Sequence, residues 1–147
     1  MAWTKESALT YAEEARSAVL ATVTEGGLPE VRHVGGYGIT SSEKGTIFYL
    51  NTGKDSDKVT QIAHTPSVAL IFQHGHQDGL KNVTLYGKAR IVTGQERSEG
   101  EAVIHDRRPQ AVFDETKAVI AVQVERIKVL DFSETPQVQL FDIPQGA

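Results

Sequence analysis

The sequence predicts a mainly β protein, an antiparallel Greek-key-like barrel of six to seven strands with a few peripheral helices. Three observations lead there. Seven short runs rich in β-branched and apolar residues lie close together, separated by small Gly, Pro, Asn and Asp clusters. Helical patterns stand between only some of these runs, so the alternation of a doubly wound parallel sheet is missing. The 147 residues suit one domain with a core of its own, and the turn clusters are too short for a domain linker.

Each element has a local reason. Thr4 is placed to cap a helix to about Arg16, with Leu9, Ala12 and Ala15 on one side. Ser17 to Thr24 and Leu28 to Val34 read as a hairpin around Glu25-Gly26-Gly27. Gly35, Gly36 and Gly38 follow, a stretch where the backbone bulges or is closely approached. After a turn at Ser41 to Gly45, Thr46 to Leu50 is a strong strand, and Asn51 to Ser56 reads as a polar loop. Asp55 or Ser56 caps a second helix whose inner face is Val59, Ile62 and Ala63, and Pro66 marks its end. Ser67 to Phe72 is the next strand, and His74 to Leu80 a polar loop. Asn82 to Val92 alternates, with Val83, Leu85, Ala89 and Ile91 facing one way. Gly94 to about His105 is a surface helix. Ala118 to Phe132 is a long strand in which Ile120, Val122 and Val124 are out of phase with Ile127 and Val129, so a β-bulge is expected near Glu125 and Arg126. Gln137 to Phe141 closes the series.

Composition removes several function classes. The formal net charge is −4 and the pI near 5.7, without the basic excess of a nucleic-acid binder. The chain has no cysteine, which excludes disulfides, thiolate metal sites and a cysteine nucleophile. Its apolar runs are far below the roughly 20 residues of a membrane helix, and no signal-peptide core follows the charged N-terminal segment. A soluble cytoplasmic protein is expected, with no nucleic-acid or membrane partner.

The segment Phe48 to Phe72 carries the most chemistry: strand, polar stretch, capped helix, strand. A helix N-terminus offers free N–H groups and a partial positive charge, which suit a phosphate. Ser56 adds a hydroxyl there, Lys58 a charge in the first turn, and Lys54 stands just before it. Arg32, from the hairpin, is able to bring a planar fork to the same anion. On spacing alone the same residues also read as an ordinary capped helix with surface lysines. His74-Gly75-His76 has the spacing of a metal pair but no third ligand in pattern, so no metal site is expected. The run His105 to Pro109 reads as a solvated helix end. Trp3 is read as helix packing, and no Ser-His-Asp triad, P-loop or carboxylate pair stands out.

Three motifs in order carry a resemblance. Val19 to Val34 (VLATVTEGGLPEVRHV), the series Phe48-Tyr49-Leu50-Asn51, Gly53, Ser56-Asp57-Lys58, Gln61-Ile62, Thr65-Pro66, and Asn82 to Val92 (NVTLYGKARIV) resemble the pyridoxamine 5′-phosphate oxidase-like FMN-binding split barrels, nearest the general stress protein 26 branch. The resemblance implies a homodimer with FMN at the subunit interface. It implies that Arg32 and Lys58 hold the FMN phosphate with Ser56 assisting. It places the backbone of His33 and Val34 along the isoalloxazine edge, and Tyr49, Leu50 and Asn51 along the ribityl chain. Asn82 would hydrogen-bond the ring system, and Phe141 would pack near the flavin of the partner chain. The family's Ser-Arg-Lys is Ser56-Asp57-Lys58 here, and the oxidase's C-terminal arginine segment has no counterpart in FDIPQGA. The expected function is therefore a flavin-dependent oxidoreductase on a small substrate other than pyridoxamine phosphate, with no acid or base residue identified. The alternatives are a non-catalytic flavin-binding stress protein and a reductase using a deazaflavin coenzyme.

Overall fold

The structure is a computed structural model and describes residues 2–74 and 80–145. The elements run α1 (Lys5–Glu14), β1 (Ala18–Val23), β2 (Pro29–Val34), β3 (Tyr37–Ser42), β4 (Gly45–Gly53), α2 (Asp57–His64), β5 (Ser67–Phe72), β6 (Lys81–Val92), α3 (Gly94–Arg107), β7 (Lys117–Asp131) and β8 (Val138–Asp142). The fold is mainly β: among the described residues, eight antiparallel strands form one open sheet in the order β2-β1-β5-β6-β7-β4-β3, with β8 on β7.

The long strand β7 is the spine. One edge pairs with β6 from Lys81 to Val92. The other edge is shared, residues 117–123 pairing with β4 and residues 126–130 with β8. The expected bulge is present: Tyr86 pairs with Arg126 but Gly87 pairs with Val124, leaving Glu125 as the extra residue. That residue restores phase, so Ile120, Val122 and Val124 share a core with Ile127 and Val129. Gly87 is required there, because a Cβ at this position would overlap the Gln123 carbonyl oxygen.

Two cores result. The larger lies inside the curved sheet, around Tyr37, Phe48 and Phe72, whose rings pack 5.0–6.1 Å apart. The smaller joins Ile47, Tyr49, Val92, Val119 and Ala121 to Ile104 of α3.

Several sequence expectations are corrected. The described residues form eight strands rather than six to seven, because Tyr37–Ser42 pairs with β4 in register Tyr37 to Leu50. The glycines there serve close approach: a Cβ at Gly38 would lie 2.6 Å from the Val103 carbonyl oxygen of α3. Asn51 to Gly53 continue β4 instead of forming a loop, held by pairing with residues 117–119. On α2 the buried residues are Gln61 and Ile62, and Ala63 is exposed. Ile91 has the strand parity of Val83 and Leu85 but is exposed. Helix α1 ends at Glu14 rather than Arg16, and α3 continues to Arg107.

The run around Arg107 is not simply solvated. Its guanidinium donates to the carbonyls of Glu13, Ala15, Gly35 and Tyr37 and lies 3.8 Å over the Tyr37 ring. It thereby serves the orphan carbonyls at the C-terminal end of α1, where a cation also complements the helix dipole.

Candidate functional site

Helix α2 begins at Ser56, whose side chain makes no capping bond to the first turn. Its hydroxyl instead donates to the Gly53 carbonyl at 2.8 Å. The first turn is therefore left without a side-chain cap, and it carries Lys58 near Arg32. Burial lowers the Lys58 ammonium below the usual lysine value, the nearby Arg32 lowers it further, and Asp57 partly offsets both.

Arg32 comes from β2. Alternation along the strand puts it on the same face as Glu30, and both lie opposite β1, Glu30 across from Thr22 and Arg32 across from Leu20. Its Nη1 donates to Thr22 Oγ1 at 2.6 Å and to the Leu20 carbonyl at 3.3 Å, and its Nη2 donates to Gln61 Oε1 at 3.1 Å. A guanidinium has five donors, so these three bonds leave two without a partner among the described residues. Among the described residues neither Arg32 nor Lys58 is in an ion pair.

Gln61 is the residue that sequence reading missed. It is buried beside the two cations; its Oε1 accepts from Thr22 Oγ1 at 2.5 Å as well as from Arg32, and its Nε2 donates to Glu30 Oε1 at 2.5 Å. Helical spacing was the available signal, since Lys58 and Gln61 are three apart and share a face.

The other expected site residues are dispersed. His33 is exposed on the outer face of β2, in a row with Val19, Ile71, Thr84, Lys128 and Leu140. The side chains of Val34 and Leu50 belong to the larger core, so only their backbones remain available. The Tyr49 ring is buried in the smaller core, against Gly100 of α3, and burial raises its phenol above the usual value. Asn51 donates through Nδ2 to the Val112 carbonyl at 3.1 Å, while its Oδ1 is buried with no partner. Asn82 pairs with Leu130, beside Lys81 at the start of β6. Phe141 packs against the larger core from β8. The row Arg32, Leu20, Leu70, Leu85, Ile127, Phe141 crosses the sheet, so four core residues separate Phe141 from the cations within one chain.

Of the H-x-H pair only His74 is described. His74 stacks on Tyr11 at 3.9 Å and its ring Nε2 donates to the Tyr11 carbonyl, whereas His76 lies outside the described residues. His105 donates to the Ala111 carbonyl at 2.9 Å. No cluster of three metal-ligating side chains occurs among the described residues. Trp3 packs edge-on to Tyr11 and donates to Asp131 at 2.9 Å. No described helix is long and apolar enough to cross a membrane.

A family described as pyridoxamine 5′-phosphate oxidase matches residues 4–131. No curated protein matches the chain. Among solved structures, a haem-binding protein from Mycobacterium smegmatis superposes with a TM-score of 0.76 at 22% identity, covering 92% of this chain and 56% of that one. The chain thus spans little more than half of that protein. General stress protein 26 from Bacillus anthracis gives a TM-score of 0.65 at 19% identity over 94% of this chain and 97% of that one. HupZ from Group A Streptococcus gives 0.64 at 20% identity over 85% and 92%. These likenesses establish the fold, a split barrel.

Proposed function

The chain belongs to the pyridoxamine 5′-phosphate oxidase family, and from that premise we propose that it binds FMN, with the phosphate held by Arg32, Lys58 and the first turn of α2. The observation that carries this reading is the pair of cations without an ion-pair partner among the described residues, one of them fixed by three hydrogen bonds. Two like charges brought together at a half-buried position repel, and an anion bound between them removes that cost. The donor set fits a phosphate: a planar fork, an ammonium, and a helix N-terminus with no side-chain cap. The orphaned Asn51 Oδ1 fits a ligand hydroxyl donor, as a ribityl chain offers.

When bound, a flavin supplies hydride or electron transfer at its ring, and the protein supplies binding and orientation. In this reading the residues bind and orient, and His33, Val34 and Asn82 meet the ring system. The proposed activity is a flavin-dependent oxidoreduction of a small molecule. The proposed assembly is a homodimer with the flavin between subunits. Support for it comes from the exposed Val31, Ile71 and Leu140 on the outer sheet face and from the distance across the sheet between Arg32 and Phe141.

The test is the absorption spectrum and cofactor mass of the purified protein, followed by titration with FMN, FAD and riboflavin. FMN is expected to bind most tightly. Equal affinity for riboflavin removes the phosphate argument. A Soret band in place of flavin bands assigns haem, and a deazaflavin mass assigns the deazaflavin reductase reading.

A further inference from the structure

We propose that Gln61 is a positioning residue, a neutral spacer that keeps Glu30 from pairing with Arg32 and so leaves the Arg32 charge available to a phosphate ligand. The inference rests on the phosphate site proposed above and assigns what makes that site work.

Glu30 and Arg32 are two apart on β2, on one face, roughly 7 Å apart along the strand. Two long side chains of opposite charge at that spacing are within reach of a direct ion pair. They do not form one. The carboxamide of Gln61 enters from α2 and occupies the space between them. Its donor end bonds the acid and its acceptor end bonds the guanidinium, with the buried Thr22 hydroxyl closing the arrangement on both Gln61 and Arg32. The order of charges fixes the amide: turned over, it would aim an acceptor at a carboxylate and a donor at a guanidinium. No other side chain of this length offers one end of each kind. Leucine fills the volume with neither, and glutamate has no donor for Glu30 and adds a charge against Arg32.

The experiment is fluorescence titration of FMN and riboflavin, which differ by the phosphate, on folded variants checked by thermal unfolding. In Gln61→Leu, Glu30 is expected to swing onto Arg32, lowering FMN affinity about tenfold with riboflavin affinity unchanged. Adding Glu30→Gln to Gln61→Leu should restore most of that loss, with Glu30→Gln alone as the reference of the cycle. In Gln61→Glu, which keeps the side-chain length, FMN affinity should fall at least as far, and Glu30→Gln should not rescue it. A merely structural Gln61 would lower FMN and riboflavin together and would not be rescued at Glu30; either result overturns the inference. Arg32→Met separates the two levels. If it lowers the FMN-to-riboflavin ratio while Gln61→Leu does not, only the spacer role fails. If it leaves the ratio unchanged, the phosphate lies elsewhere and the functional reading fails with it.

Discussion

Lys54 and Lys58 carry the same charge four residues apart, yet only Lys58 stands beside Arg32. Lys54 is exposed and contributes its backbone N–H to the Thr116 carbonyl. Lys58→Ala should therefore weaken FMN about tenfold or more, the scale of a charge-assisted hydrogen bond of roughly 1.5–3 kcal/mol, and Lys54→Ala should weaken it less. Titration of both variants checks the order. Asp57→Arg removes an acid beside Lys58 and should tighten FMN, with a larger gain at low salt because part of the effect is screened. A second residue reports on pH. Hydrogen bonds from Ser133 and then from Trp3 hold the Asp131 carboxyl below its ordinary value. A depressed carboxyl stabilises the fold above its unfolded value, and that contribution is lost as pH falls through the folded value. The fluorescence of Trp3, the one tryptophan, should thus change below about pH 4. In Asp131→Asn that acid-dependent change should be absent.

At the level of elements, the bulge and its partner glycine form one device. Glu125 shifts the phase of β7, and Gly87 lets the Gln123 carbonyl pass against β6. Gly87→Ala should cost about 1–3 kcal/mol, the scale of overpacking, read as a lower urea midpoint with an unchanged slope. Arg107 joins three elements, since α1, α3 and the entry to β3 meet at its guanidinium. Arg107→Ala leaves carbonyls at the end of α1 without that donor, and about 3 kcal/mol of destabilisation is expected in the same measurement.

For the whole molecule, the open sheet leaves an outer face carrying Val31 at 68% exposure, Leu140 at 55% and Ile71 at 37%. The rows through these residues hold the small or apolar Ala21, Ala69 and Val19 at their centre and the polar His33, Thr84, Lys128, Arg126 and Asp142 toward their ends. A surface of this kind suits a second copy related by two-fold symmetry, the commonest oligomeric contact. Light scattering at micromolar concentration should give twice the mass of the 16.0 kDa chain. Leu140→Lys should shift it toward the monomer, and a wild-type chain that is monomeric removes the inter-subunit flavin site.

Periodicity located the three helices and seven of the eight described strands. Strand alternation is a local property, so Asn82 to Val92 and the phase change at Glu125 were legible one residue at a time. The cations Arg32 and Lys58 were visible as candidates for the proposed phosphate site, Lys58 from its place in the first turn of a helix and Arg32 from its residue type. What neighbours do was not legible. Tyr37–Ser42 became a strand because it pairs with β4, the next strand of the same hairpin, and because α3, distant in sequence, packs on Gly38. Gln61 looked like one polar residue on a helix. Only the packing of α2 against β1 brought its amide between Glu30 and Arg32 of β2, because a hydrogen bond between residues 29 or 31 positions apart has no trace in either local pattern.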